Sequence, residues 1–334
     1  MHLTYNTNDM NKIETEEYPV KSNNRIILVV GATGRQGGAV AKQLLQEGWM
    51  VRALTRRPES TAAITIKNLG ATLFQGDLSD PSSLKLSMNG VHGVFGMTEF
   101  WEHGYKQEVE HGLNLIKAAQ TSGVEHIVFS SVGGIDRTVG LGIRHFDSKR
   151  MIEQYLKSTG IRYSILRPVT FFENFISNRY RKAIRNGSFK FAIKPDKRFQ
   201  MLAMHDLAIF AAQAFAGSPY FENQAVELAS QRLTMNEFSA ALGKTIGVPV
   251  RYRLLSRPML WLLAGYVEIT RQGGYYKTGW ALLRMFNWMN ETDTGGWDAD
   301  LPALRRQHSE LMSAETWAAT INWDNWCDTK ETGS

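Results

Sequence analysis

Three glycines, Gly31, Gly34 and Gly37, stand at a spacing that can wrap a phosphate. The β-branched run Arg25-Ile-Ile-Leu-Val-Val precedes them, and Ala39–Gln46 follows at helical periodicity. In such a strand–loop–helix context each glycine has a cause. Gly31 permits the tight turn, Gly34 lets the backbone approach a pyrophosphate, and Gly37 lets the helix pack close to the strand. The unpaired N–H groups of the helix start would then face the phosphates. The end of the next strand selects the cofactor. An NAD site has an Asp or Glu there for the ribose hydroxyls, whereas this chain has Thr55-Arg56-Arg57 and no acid until Glu59. Arg56 can fork onto a 2′-phosphate, with Arg35 as a second contact. The alternative for Arg56 is a solvated surface cation. NADP(H) is the cofactor these residues select.

The elements that must hold these residues alternate regularly. Strands are expected at Arg25–Val30, Met50–Thr55, Ala71–Gln75, Gly93–Met97, His126–Ser130 and Tyr163–Arg167. Helices lie between them at Ala39–Gln46, Thr61–Leu69, Asp80–Met88, Tyr105–Ser122 and Lys149–Thr159. Apolar runs without strict alternation suit strands buried on both faces. The alternation predicts an α/β fold, a Rossmann-type doubly wound parallel sheet, over residues 25–170. Residues 1–24 read as a flexible tail. Residues 171–334 read as a smaller α/β and helical part without a sheet of its own, covering the carboxyl edge, where ligands bind in such folds. Its helices are expected at Phe175–Asn186, His205–Phe215 and Met235–Thr245, and its short strands at Phe199–Met201, Ala225–Leu228 and Val250–Leu254.

Composition narrows the class further. With 43% hydrophobic and 21% charged residues the chain is an ordinary globular protein, not a disordered chain, collagen or coiled coil. A single cysteine, Cys327, excludes an intramolecular disulfide framework and a Cys-cluster zinc site. The N-terminus lacks a signal-peptide pattern, and the longest apolar stretch, Pro258–Ile269, is too short to span a bilayer. A cytoplasmic location is therefore expected. The net charge of +6 is spread along the chain, so no nucleic-acid partner is expected. His103, His111 and His205 fit no metal-ligand spacing, and no metal is expected.

Several segments together resemble the NmrA-like branch of the atypical short-chain dehydrogenase/reductases, most closely its NADPH-sensing members. They are GATGRQGG (Gly31–Gly38), LTRRP (Leu54–Pro58), QGDLSD (Gln75–Asp80), MTEFWE (Met97–Glu102), HFDSK (His145–Lys149) and RPVTFFEN (Arg167–Asn174). The resemblance covers about Arg25 to Leu255. It implies that Gly31, Ala32, Thr33, Gly34, Arg35, Gln36 and Gly37 hold the pyrophosphate and Arg56 the 2′-phosphate. It places Asp77 and Leu78 beside the adenine, and Thr98, Glu99 and Phe100 along the nicotinamide-side ribose. Lys149 would bond the ribose hydroxyls. Phe171, Phe172, Glu173 and Asn174 would close over the nicotinamide.

Ordinary members of the superfamily use a Tyr-x-x-x-Lys pair and a Ser, the Tyr exchanging the substrate proton. Here Lys149 is present, but His145 stands four residues before it, and Ser131 lies near the expected Ser position. Two readings follow. One is a redox-sensing regulator that reads the NADPH/NADP ratio and engages a protein partner, or forms a homodimer. The other is an NADPH-dependent reductase of a small apolar carbonyl, quinone or enone, with Lys149 or His145 moving the proton. His145 as a structural residue at a helix start is the plain alternative. The aromatic stretch with Trp261, Tyr275, Tyr276, Trp280, Phe286 and Trp288 suits a pocket wall, a dimer surface, an interfacial membrane contact or an added layer of core.

Overall fold

The computed structural model describes residues 25–270 and 278–324. The expected tail 1–24 and Tyr275 and Tyr276 lie outside the described residues. The first half alternates without interruption. Its elements are β1 (Ile26–Val30), α1 (Arg35–Gln46), β2 (Met50–Thr55), α2 (Thr61–Asn68), β3 (Thr72–Gln75) and α3 (Pro81–Ser87), then β4 (Val91–Gly96), α4 (Phe100–Thr121), β5 (His126–Ser130), α5 (Arg144–Ser158) and β6 (Arg162–Pro168). The second half contains β7 (Thr170–Phe171), α6 (Asn178–Arg185), β8 (Ser188–Phe191), β9 (Phe199–Leu202), α7 (Met204–Phe215), β10 (Ala225–Leu228) and β11 (Gln231–Leu233). It continues with α8 (Met235–Ile246), β12 (Arg251–Leu254), α9 (Arg257–Thr270), α10 (Thr278–Glu291), α11 (Leu301–Gln307) and α12 (Ala314–Ala319).

Seven strands form one sheet in the order β10-β6-β5-β4-β1-β2-β3, and every pairing in it is parallel. This is the expected Rossmann-type fold. Strand β1 shows why an apolar run without alternation belongs at the centre. Ile27 and Val29 face one core, while Leu28 and Val30 face the other. Chain order reverses between β1 and β4, and such a switch point opens a crevice at the carboxyl ends of the strands.

The second half departs from expectation in two ways. It does have sheets of its own, β11-β9-β7 and β12-β8. Of these strands, β9 and β12 lie at the expected Phe199–Met201 and Val250–Leu254, while β7, β8 and β11, two to four residues long, are too short for a pattern to show in sequence. It also gives back β10 to the edge of the main sheet, and α7 packs against α1 on the sheet face. The boundary near residue 170 is thus crossed by both strand pairing and core. In the aromatic tail, Trp288, Trp297, Trp317 and Trp323 are buried, so much of it is an added layer of core. Trp261 is the exception, exposed and edge-on to Trp280 with ring centroids 4.9 Å apart. Among the described residues, no helix is long and apolar enough to cross a membrane.

The contact that fixes α1 on β1 is made at Gly37. A Cβ built there would lie 2.3 Å from the Gly31 carbonyl oxygen and 2.5 Å from that of Val30. Both are backbone atoms at the turn, so neither can swing aside. Gly37→Ala should therefore destabilise the protein by about 3 kcal/mol or more, the upper range for overpacking, read as a lower urea midpoint. Gly38→Ala, whose Cβ would sit 3.2 Å from the Ala32 carbonyl oxygen, should cost distinctly less. Equal midpoints for the two variants would contradict this packing.

Candidate functional site

The glycine loop has the conformation its spacing predicts. Gly31 adopts φ +68°, a left-handed value open to glycine. Its carbonyl accepts the Gly34 N–H at 2.8 Å, closing the turn. Gly34 is the N-cap of α1 and has no capping side chain, and the first turn carries no acid. The helix start therefore presents unpaired N–H groups and the positive end of its dipole, the arrangement that receives phosphates.

Arg56 follows the last residue of β2. Its guanidinium is bidentate to Glu102, with Nη1 to Oε1 at 3.0 Å and Nη2 to Oε2 at 3.3 Å. The pair holds the Glu102 carboxyl below its ordinary range, the Arg56 hydrogen bond being the largest cause. Glu102 lies in the first turn of α4, just before Gly104, where the backbone breaks from helix with φ 73° and ψ −177°. Arg35, expected beside Arg56, instead donates from Nη1 to the Glu173 carbonyl at 3.3 Å. Asp77 sits in the turn after β3, its Oδ1 accepting the Ser79 N–H (2.8 Å) and hydroxyl (2.6 Å), and the Leu78 carbonyl accepts Asn114 Nδ2.

Beyond β4 lies a buried polar cluster. Lys149 Nζ donates to the Thr98 carbonyl (2.8 Å) and to Thr98 Oγ1 (2.7 Å), and pairs with Glu108 Oε1 at 3.0 Å. Thr98 Oγ1 donates to Glu108 Oε1 at 3.0 Å, and Ser148 Oγ donates to Glu108 Oε2. Glu108 has no exposed surface. Sequence reasoning missed it, because a single acid on a long helix, forty residues from its lysine, carries no local signal. Glu99 caps α4 by accepting the Trp101 N–H, and burial raises its carboxyl pKa.

The proton-moving candidates sit differently. His145 lies in the first turn of α5, which begins at Arg144 rather than at the expected Lys149. Its ring packs among Phe100, Trp101 and Phe146, with Nε2 3.3 Å from Met285 Sδ. Desolvation, helped by the Lys149 charge, pushes its pKa down to about 3, so the imidazole is neutral at physiological pH. The Ser131 hydroxyl is buried and accepts or donates no hydrogen bond among the described residues, while Ser130 donates to Gln36 Oε1 at 2.8 Å.

The expected lid needs correction. Phe172 has no exposed surface and stacks between Phe238 and Trp317, at 5.8 and 5.2 Å between centroids. Its ring belongs to the core of the second half and cannot cover a nicotinamide. Phe100 is likewise turned inward, onto Trp101 and His145. Phe171 is half-buried and Asn174 exposed, while Glu173 Oε1 accepts the Met204 N–H and the Trp317 indole N–H. A cavity of about 590 Å³ runs from Thr33 and Arg35 along α1 to Glu173 and His205. It shares the phosphate loop, but Arg56, Thr98 and Lys149 do not line it.

A family model described as the NmrA-like family matches residues 23–302. Over 163 residues the chain is 35% identical to the NmrA-like family domain-containing oxidoreductase ptmS of Penicillium ochrochloron, covering 46% of this chain and 49% of that protein. The chain thus spans about half the length of that relative. Over 230 residues it is 30% identical to an NAD(P)H azoreductase of Xenophilus azovorans, covering 68% of this chain and 76% of the relative. Among solved structures, NmrA, a negative transcriptional regulator in complex with NADP, superposes with a TM-score of 0.72 at 20% identity, over 90% of this chain and 99% of that one. The resemblance drawn from the sequence motifs is borne out.

Glu108 and Lys149 form a buried ion pair whose halves depend on each other. Glu108→Ala should cost about 3–5 kcal/mol, because it strands an ammonium that is almost wholly buried. The double variant Glu108→Leu/Lys149→Met should recover most of that loss. Additive losses in chemical denaturation would show that the two groups are not coupled.

Proposed function

Because the chain belongs to the NmrA-like family, we propose that it binds NADP(H) across the carboxyl ends of β1, β2 and β4 and reduces a small apolar quinone, enone or azo compound. One observation carries this reading: the uncapped start of α1, Arg56 and Lys149 converge on the crevice at the switch point of one sheet. In it, the N–H groups of Gly31–Gly37 receive the pyrophosphate, and Arg56 grips the 2′-phosphate in place of Glu102. Lys149, held in position by Glu108 and Thr98, donates to the ribose hydroxyls. When bound, NADPH supplies a hydride from its nicotinamide ring.

The chemistry of the substrate follows from the residues around the crevice. His145 is neutral and packed within an aromatic cage, so it is not poised to give a proton. Lys149 is engaged by a carboxylate and a threonine. The acceptor must then be one whose reduced form takes its proton from water at an electronegative atom. Quinones, enones and azo groups meet that condition, and the names of ptmS and of the azoreductase agree with reductive chemistry.

A regulatory role is the second reading, and the Arg56–Glu102 pair favours a form of it that senses occupancy by the phosphorylated dinucleotide, because NADP and NADPH carry the same 2′-phosphate. A 2′-phosphate competing for Arg56 would release Glu102 and with it the turn of α4 that ends at Gly104. Regulator and reductase separate on turnover. NADPH oxidation followed at its near-ultraviolet band should proceed with a benzoquinone or an azo dye. Lys149→Met should lower kcat/KM by about 100-fold, through misplacement of the ribose, and His145→Ala should change it only a few-fold. Tight NADPH binding without turnover of either acceptor would favour the sensor.

A further inference from the structure

The first turn of α7 brings together side chains that the cofactor site does not use. Asp206 has no exposed surface, and its two carboxylate oxygens have different company. Oδ2 is fixed from behind by the Ser230 hydroxyl and by the Met312 N–H at 2.9 Å. Oδ1 faces two imidazoles. His205 Nδ1 lies 3.2 Å from it, and His308 Nε2, just beyond the end of α11, lies 3.8 Å away. The His308 Nε2 atom is buried and has no hydrogen-bond partner among the described residues. The three atoms all fall within 4.8 Å of one another.

We propose that His205 Nδ1, Asp206 Oδ1 and His308 Nε2 form a site for a divalent transition-metal ion, with Zn²⁺ the best match. Two imidazole nitrogens and a carboxylate oxygen are a donor set suited to zinc, with a fourth position left for water. Ligands about 2.0–2.2 Å from zinc in a tetrahedron stand about 3.3–3.6 Å apart. The two separations from Asp206 Oδ1, 3.2 and 3.8 Å, bracket that value, and the two imidazole nitrogens lie within 4.8 Å of each other, so ring rotations would bring them onto a shared ion. His205 is half-exposed and free to make them. The bonds from Ser230 and Met312 to Oδ2 orient the carboxylate as outer-shell partners of metal ligands do. A bound ion would tie the segment after α11 to the start of α7, where His205 lines the cavity that reaches the phosphate loop. The sequence hid this site. The spacing of His205 from His103 and His111 fits no pattern, and the missing ligand comes from a residue about a hundred positions away.

The test uses the full chain, stripped with a chelator and titrated with Zn²⁺ against a chromophoric competitor. One equivalent should bind, and the protein should melt at a higher temperature with zinc than without it. His205→Ala, a change at a half-exposed position, should weaken binding at least about 100-fold, and His308→Ala likewise. Ser230→Ala, removing an outer-shell bond, should weaken it about 10-fold. Co²⁺ should give the visible absorption of a tetrahedral complex in the wild type and lose it in His205→Ala. His103 and His111 meet edge-to-face with ring centroids 4.7 Å apart and are the obvious competing pair, so His103→Ala should bind zinc unchanged. Absence of stoichiometric binding, binding that survives both His205→Ala and His308→Ala, or binding lost in His103→Ala would each overturn the proposal.

Discussion

A carboxylate with no exposed surface decides how the carboxyl end of the sheet is built around its central strand. Glu108, on α4, draws together Thr98 from the end of β4 and Ser148 and Lys149 from α5. Burying that charge would be costly in isolation, and it is tolerated because one ammonium and two hydroxyls surround it. The consequence is geometric. Lys149 is held to Thr98 by two hydrogen bonds, and α4 and α5 are fixed against each other beside the switch point. The phosphate loop on the other side of that point is fixed by sterics instead, through the contact of Gly37 with Gly31 and Val30. One crevice is thus framed by a charge cluster on one flank and a backbone contact on the other.

The first half was legible in the sequence because its signals are local. A strand buried on both faces reads as an unbroken apolar run, and β1 divides its residues between two cores as such a strand must. Gly31 and Gly37 answer to a turn and a close approach, both set within seven residues. Helix starts were less visible. Helix α5 begins at Arg144 because His145 and Phe146 turn inward among aromatic rings, a preference that shows only once Trp101 and Trp288 are in place.

In the second half helices α6, α7 and α8 and several short strands were legible, but the pairing of the strands into sheets was not, for a physical reason. Strand β8, Ser-Phe-Lys-Phe, is four residues long and is stabilised by pairing with β12, some sixty residues on. Phe172 sits in a motif that the resemblance assigns to the nicotinamide, yet Phe238 and Trp317 claim its ring. Glu108 and His308 share the same property. Each acquires meaning from a partner far along the chain, and neither lies in a repeat or a glycine turn.

Calorimetric titration of NADPH and, separately, of NADH into the protein reads whether Arg56 grips a 2′-phosphate. The charge-assisted bonds from Arg56 to the 2′-phosphate should make NADPH the tighter ligand by roughly 100-fold, about 2.7 kcal/mol. Equal affinities for the two, or no heat with either, would rule out Arg56 as the contact that selects the phosphorylated dinucleotide.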